Sequence, residues 1–334
     1  MSAIARLFIL CLLSMMLSST SLLAAESRQY DIVMVLWRGV TDAERGFMNY
    51  LKTSGVRANF IIKDCQKDAS KLPGFINEIK TVRPDLVYTF GTTVTREIVG
   101  TIENRDPGRH ILDIPVVFNI VADPVGAKLV ESFASSNSNF TGVSHTVPLD
   151  AQINVMKKTR PLRKLAVIYN PVERNSQLAV TALQAQADAQ GFTVIEAPVA
   201  LDINNKPVKE SIATRIKEVA RLNPDFIYLP SDSFVISNAS EVVNASLAQG
   251  VATFSSTEGP IRKNGALMGI VSTYYSVGKF AGFKASQLLT KAKATQDIPI
   301  ETLRQFSLLV NAESARQLVF FPPVSMLAVA EVIQ

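Results

Sequence analysis

One hexapeptide pattern occurs twice in the chain. Arg83-Pro84-Asp85-Leu86-Val87-Tyr88 returns as Asn223-Pro224-Asp225-Phe226-Ile227-Tyr228, 140 residues later. Each copy follows an amphipathic helical stretch and runs into small polar residues, Gly91-Thr92-Thr93 in the first and Ser231-Asp232-Ser233 in the second. Solenoid units repeat every few tens of residues, so this period implies two lobes of one architecture instead. With 334 residues, each lobe is long enough for a core of its own.

Strand and helix alternate throughout. Thr41-Asp42-Ala43-Glu44 reads as a capping box opening a helix that Gly55 stops, and Leu86 to Phe90 reads as a buried strand. Asp123-Pro124 reads as an N-cap followed by a proline in the first helical position. The second lobe repeats the plan from Leu165, and Gly278 to Lys291 reads as one more amphipathic helix. Strands alternating with helices predict an α/β chain of two doubly wound parallel-sheet lobes joined by a hinge. The expected boundaries are 26–145 for the first lobe, with about 273–300 returning to it. The second takes 146–272 and about 301–320, and 321–334 is a C-terminal extension.

Arg6, the apolar run from Leu7 to Leu23 and the small residues Ala24-Ala25 read as a cleavable secretory signal over 1–25, which predicts export to the periplasm. Cys65 is then the only cysteine left, so an intrachain disulfide is excluded. His110 and His145 lack metal-site spacing, and neither metal nor cofactor is expected. A formal charge of +5 is spread along the chain without a basic block or stacking platform, which argues against nucleic-acid binding.

In open parallel sheets ligands bind beyond the carboxyl ends of the strands, so the loops there are the candidates. Trp37, Arg38, Gly91, Thr92, Thr93, Asn119 and Ser144 come from the first lobe. Asn170, Ser231, Asp232, Ser233, Thr257 and Glu258 come from the second. The set can form hydrogen bonds but holds no nucleophile elbow, phosphate loop, dinucleotide fingerprint or zinc motif, so an enzyme is not expected. Hydroxyls and amides at helix N-termini suit a carboxylate, and Asp232 is the expected counter-ion for an ammonium. Arg38 suits a carboxylate and Trp37 an apolar or planar body, although Trp37 can equally close the core and Arg38 can pair with Asp42. Asp232 can also serve as a helix cap. Glu258 can bind ligand, brace Arg262 or lie in water.

Ile114-Pro115-Val116-Val117-Phe118, Ala122 to Ala127, Thr141-Gly142-Val143-Ser144, Tyr169-Asn170-Pro171 and Tyr274 to Gly278 resemble signature segments of ABC-importer solute-binding proteins. The branch they are similar to includes tryptophan- and tyrosine-binding members with a periplasmic-binding type I fold. The resemblance spans about Tyr30 to Val319. It implies a small ligand clamped between lobes by hinge closure, a membrane permease with its ATPase as partners, and a monomer. Where the family often has Glu-His-Pro after the first strand, this chain has Trp37-Arg38-Gly39. A periplasmic sensor subunit signalling to a membrane kinase or cyclase is the other reading of the same scaffold.

Overall fold

The computed structural model describes residues 28–291 and 293–334; the signal read over 1–25 lies outside them. In chain order the elements of the first half are β1 (Tyr30–Leu36), α1 (Asp42–Thr53), β2 (Ala58–Asp64), α2 (Leu72–Val82), β3 (Leu86–Phe90), α3 (Gly91–Val99), β4 (Val116–Val121) and β5 (Phe140–Ser144). The chain then builds α4 (Leu149–Thr159), β6 (Lys164–Tyr169), α5 (Arg174–Gln190), β7 (Thr193–Pro198), α6 (Ser211–Ala220), β8 (Phe226–Leu229), α7 (Ser233–Ser237), α8 (Ala239–Ala248), β9 (Thr253–Ser255), α9 (Glu258–Asn264) and β10 (Met268–Val271). It finishes with α10 (Tyr274–Lys291), β11 (Glu301–Thr302), β12 (Ser307–Asn311), α11 (Ala312–Gln317), α12 (Val324–Leu327) and β13 (Glu331–Ile333).

These strands form two sheets, ordered β11-β5-β4-β3-β1-β2 and β13-β12-β10-β9-β8-β6-β7. Every ladder is parallel except that between β10 and β12. Apolar runs such as Leu86-Val87-Tyr88-Thr89-Phe90 are buried on both faces, as a helix-covered parallel sheet requires. The α/β architecture of two parallel-sheet lobes is thus the one expected.

The chain crosses between lobes after Ser144, after Val271 and after Thr302. The last crossing falls slightly later than expected, because Glu301 and Thr302 pair with Val143 and Ser144 on the first sheet. Helix α10 returns to lie along α1 at backbone contact. A Cβ on Gly278 would sit 1.9 Å from the Ala43 carbonyl oxygen, and one on Gly46 2.1 Å from that of Tyr275. At the C-terminus β13 adds an edge strand to the second sheet, and Arg262 holds it with a bidentate bridge to Glu331 at 2.6 and 2.7 Å.

The capping box at Thr41 is present, with the Glu44 carboxylate accepting from the Thr41 amide at 2.7 Å. Asp123-Pro124 does not open a helix. The Asp123 carboxylate accepts from the Gly126 amide at 2.8 Å, and Lys128 turns left-handed at φ 58°, so the segment closes as a turn.

Candidate functional site

Where the carboxyl ends of the two sheets face each other lies a narrow cavity of about 20 Å³, room for roughly one water as the lobes stand. The first lobe contributes Trp37 and Arg38 after β1, Phe90 to Thr93 at the β3–α3 turn, and Ile120 and Ala122 around the end of β4. From the second lobe come Glu173 and Asn175 beyond β6, and Ser231, Ser233 and Ile236 beyond β8. Tyr274, at the start of α10, joins both walls.

The first wall is positive and apolar. Arg38 lies with its guanidinium 5.2 Å from the centroid of the Phe90 ring and does not pair with Asp42, which binds Arg45 instead. Trp37 lines the cavity while packing against the cores on both faces of the first sheet. Gly91 turns into α3 at φ 82°, with open space where a Cβ would sit, and no side chain caps that helix. The amides of its first turn therefore point a partial positive charge at the cavity. Ile120 stands at φ 56°, a left-handed conformation that a β-branched residue rarely adopts, where the β4–β5 register shifts between Asn119 and Val121. Strain of this kind gathers at ligand sites because the surrounding sheet over-determines it.

The second wall is acidic. Both Glu173 oxygens stand 3.0 Å from the Ser233 amide, at the start of α7. The Asn175 side-chain amide donates to the Ser231 carbonyl. The Ser231 hydroxyl is 2.9 Å from Nε2 of His145, a bond that ties the second lobe to the chain leaving the first. Burial, and then the Arg38 cation, push the His145 imidazole down to about 4, so the ring is neutral at ordinary pH. Burial raises the Tyr274 phenol, against the opposing pull of the Arg38 guanidinium beside it.

Of the residues read from the sequence, Trp37, Arg38, Gly91, Thr92, Thr93, Ser231 and Ser233 meet in this cavity. Asp232 does not. It is fully buried, and its carboxylate accepts from the Asn170 amide and the Ser176 hydroxyl at 2.6 Å each and from the Val235 amide at 2.8 Å, so it caps α7 behind the cavity wall. Asn119 is also behind the wall, bonded through Nδ2 to Tyr88 Oη, which in turn donates to Glu44. Ser144 donates to the Ala122 carbonyl, and Asn170 serves Asp232 and the Val172 amide. Thr257 and Glu258 line a neighbouring, roomier hollow of about 250 Å³ that shares Arg38, Ile236 and Tyr274 with the first. There Glu258 braces Arg262 at 3.0 Å and accepts from the Tyr274 amide at 2.6 Å.

Glu173, Asn175, Tyr274 and the apolar lining residues were not among the site residues expected. Glu173 and Asn175 follow the first strand of the second lobe as Trp37 and Arg38 follow that of the first. The loop rule reaches them once carried past Pro171.

A family model described as ABC transporter substrate binding protein matches residues 32–333, and so includes the segment read as a C-terminal extension. The tyrosine-binding protein of Clostridioides difficile (strain R20291) is 25% identical over 281 residues, covering 83% of this chain and 76% of that protein. Among solved structures, an ABC domain in complex with L-Trp from Streptococcus pneumonia superposes with a TM-score of 0.79 at 22% identity, covering 92% of this chain and 100% of that one. A conserved domain protein from Vibrio cholerae gives 0.80 at 21% identity, with coverage of 92% and 100%. A ligand-free, open substrate-binding protein from Clostridium difficile gives 0.68 at 22% identity, covering 91% of this chain and 99% of that one. At these identities the solved structures speak for the fold, that of type I periplasmic binding proteins, while the sequence match carries the assignment: the chain belongs to the ABC transporter substrate-binding protein family.

Proposed function

We propose that this protein is the periplasmic solute receptor of an ABC importer, taking a small zwitterionic, amino-acid-like molecule between its lobes and handing it to a membrane permease driven by an ATPase. One observation carries the reading. The two walls of the inter-lobe cavity have opposite electrical character, with Arg38 and the uncapped start of α3 on one side and Glu173 on the other. A molecule with a carboxylate at one end and an ammonium a few bonds away satisfies both walls at once. Arg38 offers two parallel donors to the carboxylate, assisted by the amides and hydroxyls of Thr92 and Thr93. Trp37 and Phe90 offer flat apolar surface to its body. Relatives that bind tyrosine and L-Trp support an amino acid, and an aromatic one first.

Only the closed arrangement brings both walls to one ligand, so a solute that touches both selects it. No step of this cycle requires a cofactor. The test is a screen of the amino acids by thermal unfolding, followed by solution scattering on those that bind. A cognate solute raises the melting temperature and contracts the particle. A complete screen in which no amino acid does either sinks the reading.

A further inference from the structure

Glu173 on the second wall and Asp232 buried behind it are neighbouring carboxylates, and neither forms an ion pair among the described residues. Asp232 is fully buried, which raises its carboxyl on balance, but it takes three hydrogen bonds, from two backbone amides and a serine hydroxyl, that pull back toward the ionised form. Glu173 takes one backbone amide, with the Ser233 hydroxyl and the Asn175 side chain beside it. It alone of the two lines the cavity. A buried acid and its half-buried neighbour do not both hold a charge at low cost, so any proton they share resides on the one with fewer donors and a route to solvent.

We propose that Glu173 selects for a cationic nitrogen on the solute, and that it carries a proton in the empty cavity which leaves for solvent when that nitrogen arrives. The proposal rests on the reading of the cavity as a solute site and adds what the acidic wall demands. The balance is simple. An ammonium enters, one proton departs, and the wall keeps the same total charge. Burial first, and then Asp232, push the Glu173 carboxyl up to about 7, which puts the exchange near neutrality. The other charged groups nearby do not replace this partner. Arg38 stacks on Phe90 across the cavity, and Arg174, at the start of α5, is exposed and donates to the Gly126 carbonyl. Arg96 lies on α3, which packs against α5, and makes no ion pair among the described residues. His145 is neutral and bonded to Ser231.

The consequence is a pH dependence of defined sign. Below the range where Glu173 titrates, the solute must displace a bound proton, and affinity for an amine falls about tenfold per pH unit. Above it the profile is flat while the amine stays charged. Glu173→Gln keeps an acceptor for the Ser233 amide and removes both the charge and the exchange.

Two measurements on the full chain decide the matter. In the empty protein, carbon NMR of labelled glutamate is expected to give Glu173 a midpoint near neutrality, absent in Glu173→Gln. A midpoint below pH 5 overturns the proposal. Calorimetry at pH 6 in two buffers of different ionisation enthalpy then uses L-tyrosine, L-tryptophan and their deaminated analogues, with tyramine and tryptamine as amines lacking the carboxylate. The expected result is release of about one proton per amine-bearing solute bound, and none in Glu173→Gln, which loses about 100-fold in affinity for amines and little for deaminated acids. Equal losses for both classes, or binding without proton release, overturn it. If tyramine or tryptamine binds with proton release while no amino acid binds, the zwitterion reading fails and this one stands. If no amine binds at all, both fail.

Discussion

The two lobes are built on one frame and finished differently. In each, a helix ends in a left-handed residue ahead of proline, Arg83 at φ 49° and Asn223 at φ 52°. The aspartate after that proline then pins the start of the lobe's first strand. Asp85 accepts from the Asp31 amide at 2.9 Å, and Asp225 accepts from the amides of Arg163 and Lys164 at 2.7 and 2.9 Å. Both copies close on a buried tyrosine whose hydroxyl donates to a helix, Tyr88 to Glu44 and Tyr228 to Gln152. The symmetry stops at the next turn. The first lobe begins its helix at Gly91 with no side-chain cap, and the second fills the corresponding place with Asp232 and sets Glu173 against the Ser233 amide. A duplicated frame thus yields one wall with a guanidinium and an uncapped helix start and one with a carboxyl group, and the difference lies in a few loop residues.

Protons should distinguish the walls most strongly. His145, leaving the first lobe, is held neutral well below its ordinary 6.5, so the unfolded chain binds its proton first, and the stability it contributes is lost as pH falls from 6.5 toward 4. Glu173 is the reverse. Its carboxyl is raised from 4.5 to about 7, so its contribution is full below 4.5 and is lost as pH rises toward 7. At about 1.4 kcal/mol per unit, His145 accounts for about 3 kcal/mol and the half-buried Glu173 for less. Between pH 4.5 and 6.5 the two slopes oppose. Urea unfolding across that window should be nearly flat for the parent protein. It should rise with pH for Glu173→Gln, where the opposing Glu173 slope is gone, and fall with pH for His145→Gln. Three superimposable profiles would remove both groups from the account.

Arg38→Ala tests the positive wall by binding. Loss of a charge-assisted, paired contact costs about 2 kcal/mol for a ligand that carries a carboxylate. The same change should leave tyramine within about 0.5 kcal/mol, since that amine offers Arg38 nothing to hold. Calorimetric titration of L-tyrosine against tyramine reads the contrast directly, and equal losses would take Arg38 out of the anion-binding role.

What could be read from the chain and what could not follows from the same contrast. The sheets, the crossings and the capping box at Thr41 are carried by local patterns, apolar runs too short for helices and caps in fixed spacing. Trp37, Arg38 and the turns at Gly91 and Ser231 were legible because strand ends are where such sheets expose their loops. Asp232 was read as both counter-ion and cap because a charged residue in a loop looks the same whether its oxygens meet a ligand or a helix. Only the positions of Asn170, Ser176 and Val235 decide between them. Glu173 escaped for the complementary reason: nothing in its neighbours in sequence reveals that Ser233 and Asp232 come to lie beside it. Asp123-Pro124 carries a helix-opening signature, yet its carboxylate closes on Gly126 and a turn results.

A smaller effect sharpens the equivalence of the two frames. Tyr88→Phe leaves an Oε1 of the buried Glu44 carboxylate without its 2.6 Å donor, whereas Tyr228→Phe leaves a neutral Gln152 oxygen without its 2.9 Å donor. An unsatisfied charged acceptor costs more than a neutral one, so the expected losses are about 2 and about 1 kcal/mol. Both are read from denaturant midpoints at constant slope. The reversed order would mean that the matching tyrosines do not carry matching loads.

The smallest effect belongs to Trp37, the only tryptophan in the chain. Its indole is half-buried between the core of the first sheet and the cavity, so its emission reports on that wall alone. If a solute closes the lobes as proposed, water would leave the exposed edge of the ring, and the emission should shift or quench in proportion to occupancy. Trp37→Phe keeps an aromatic ring against the core and costs stability of less than about 1.5 kcal/mol. Its loss of area toward the ligand should weaken aromatic amino acids by about 1 kcal/mol and leave alanine and glycine unaffected. Emission indifferent to a solute that calorimetry shows to bind would make Trp37 a core residue only. Equal weakening of large and small amino acids would mean that the indole orders the strand end and does not touch the ligand body.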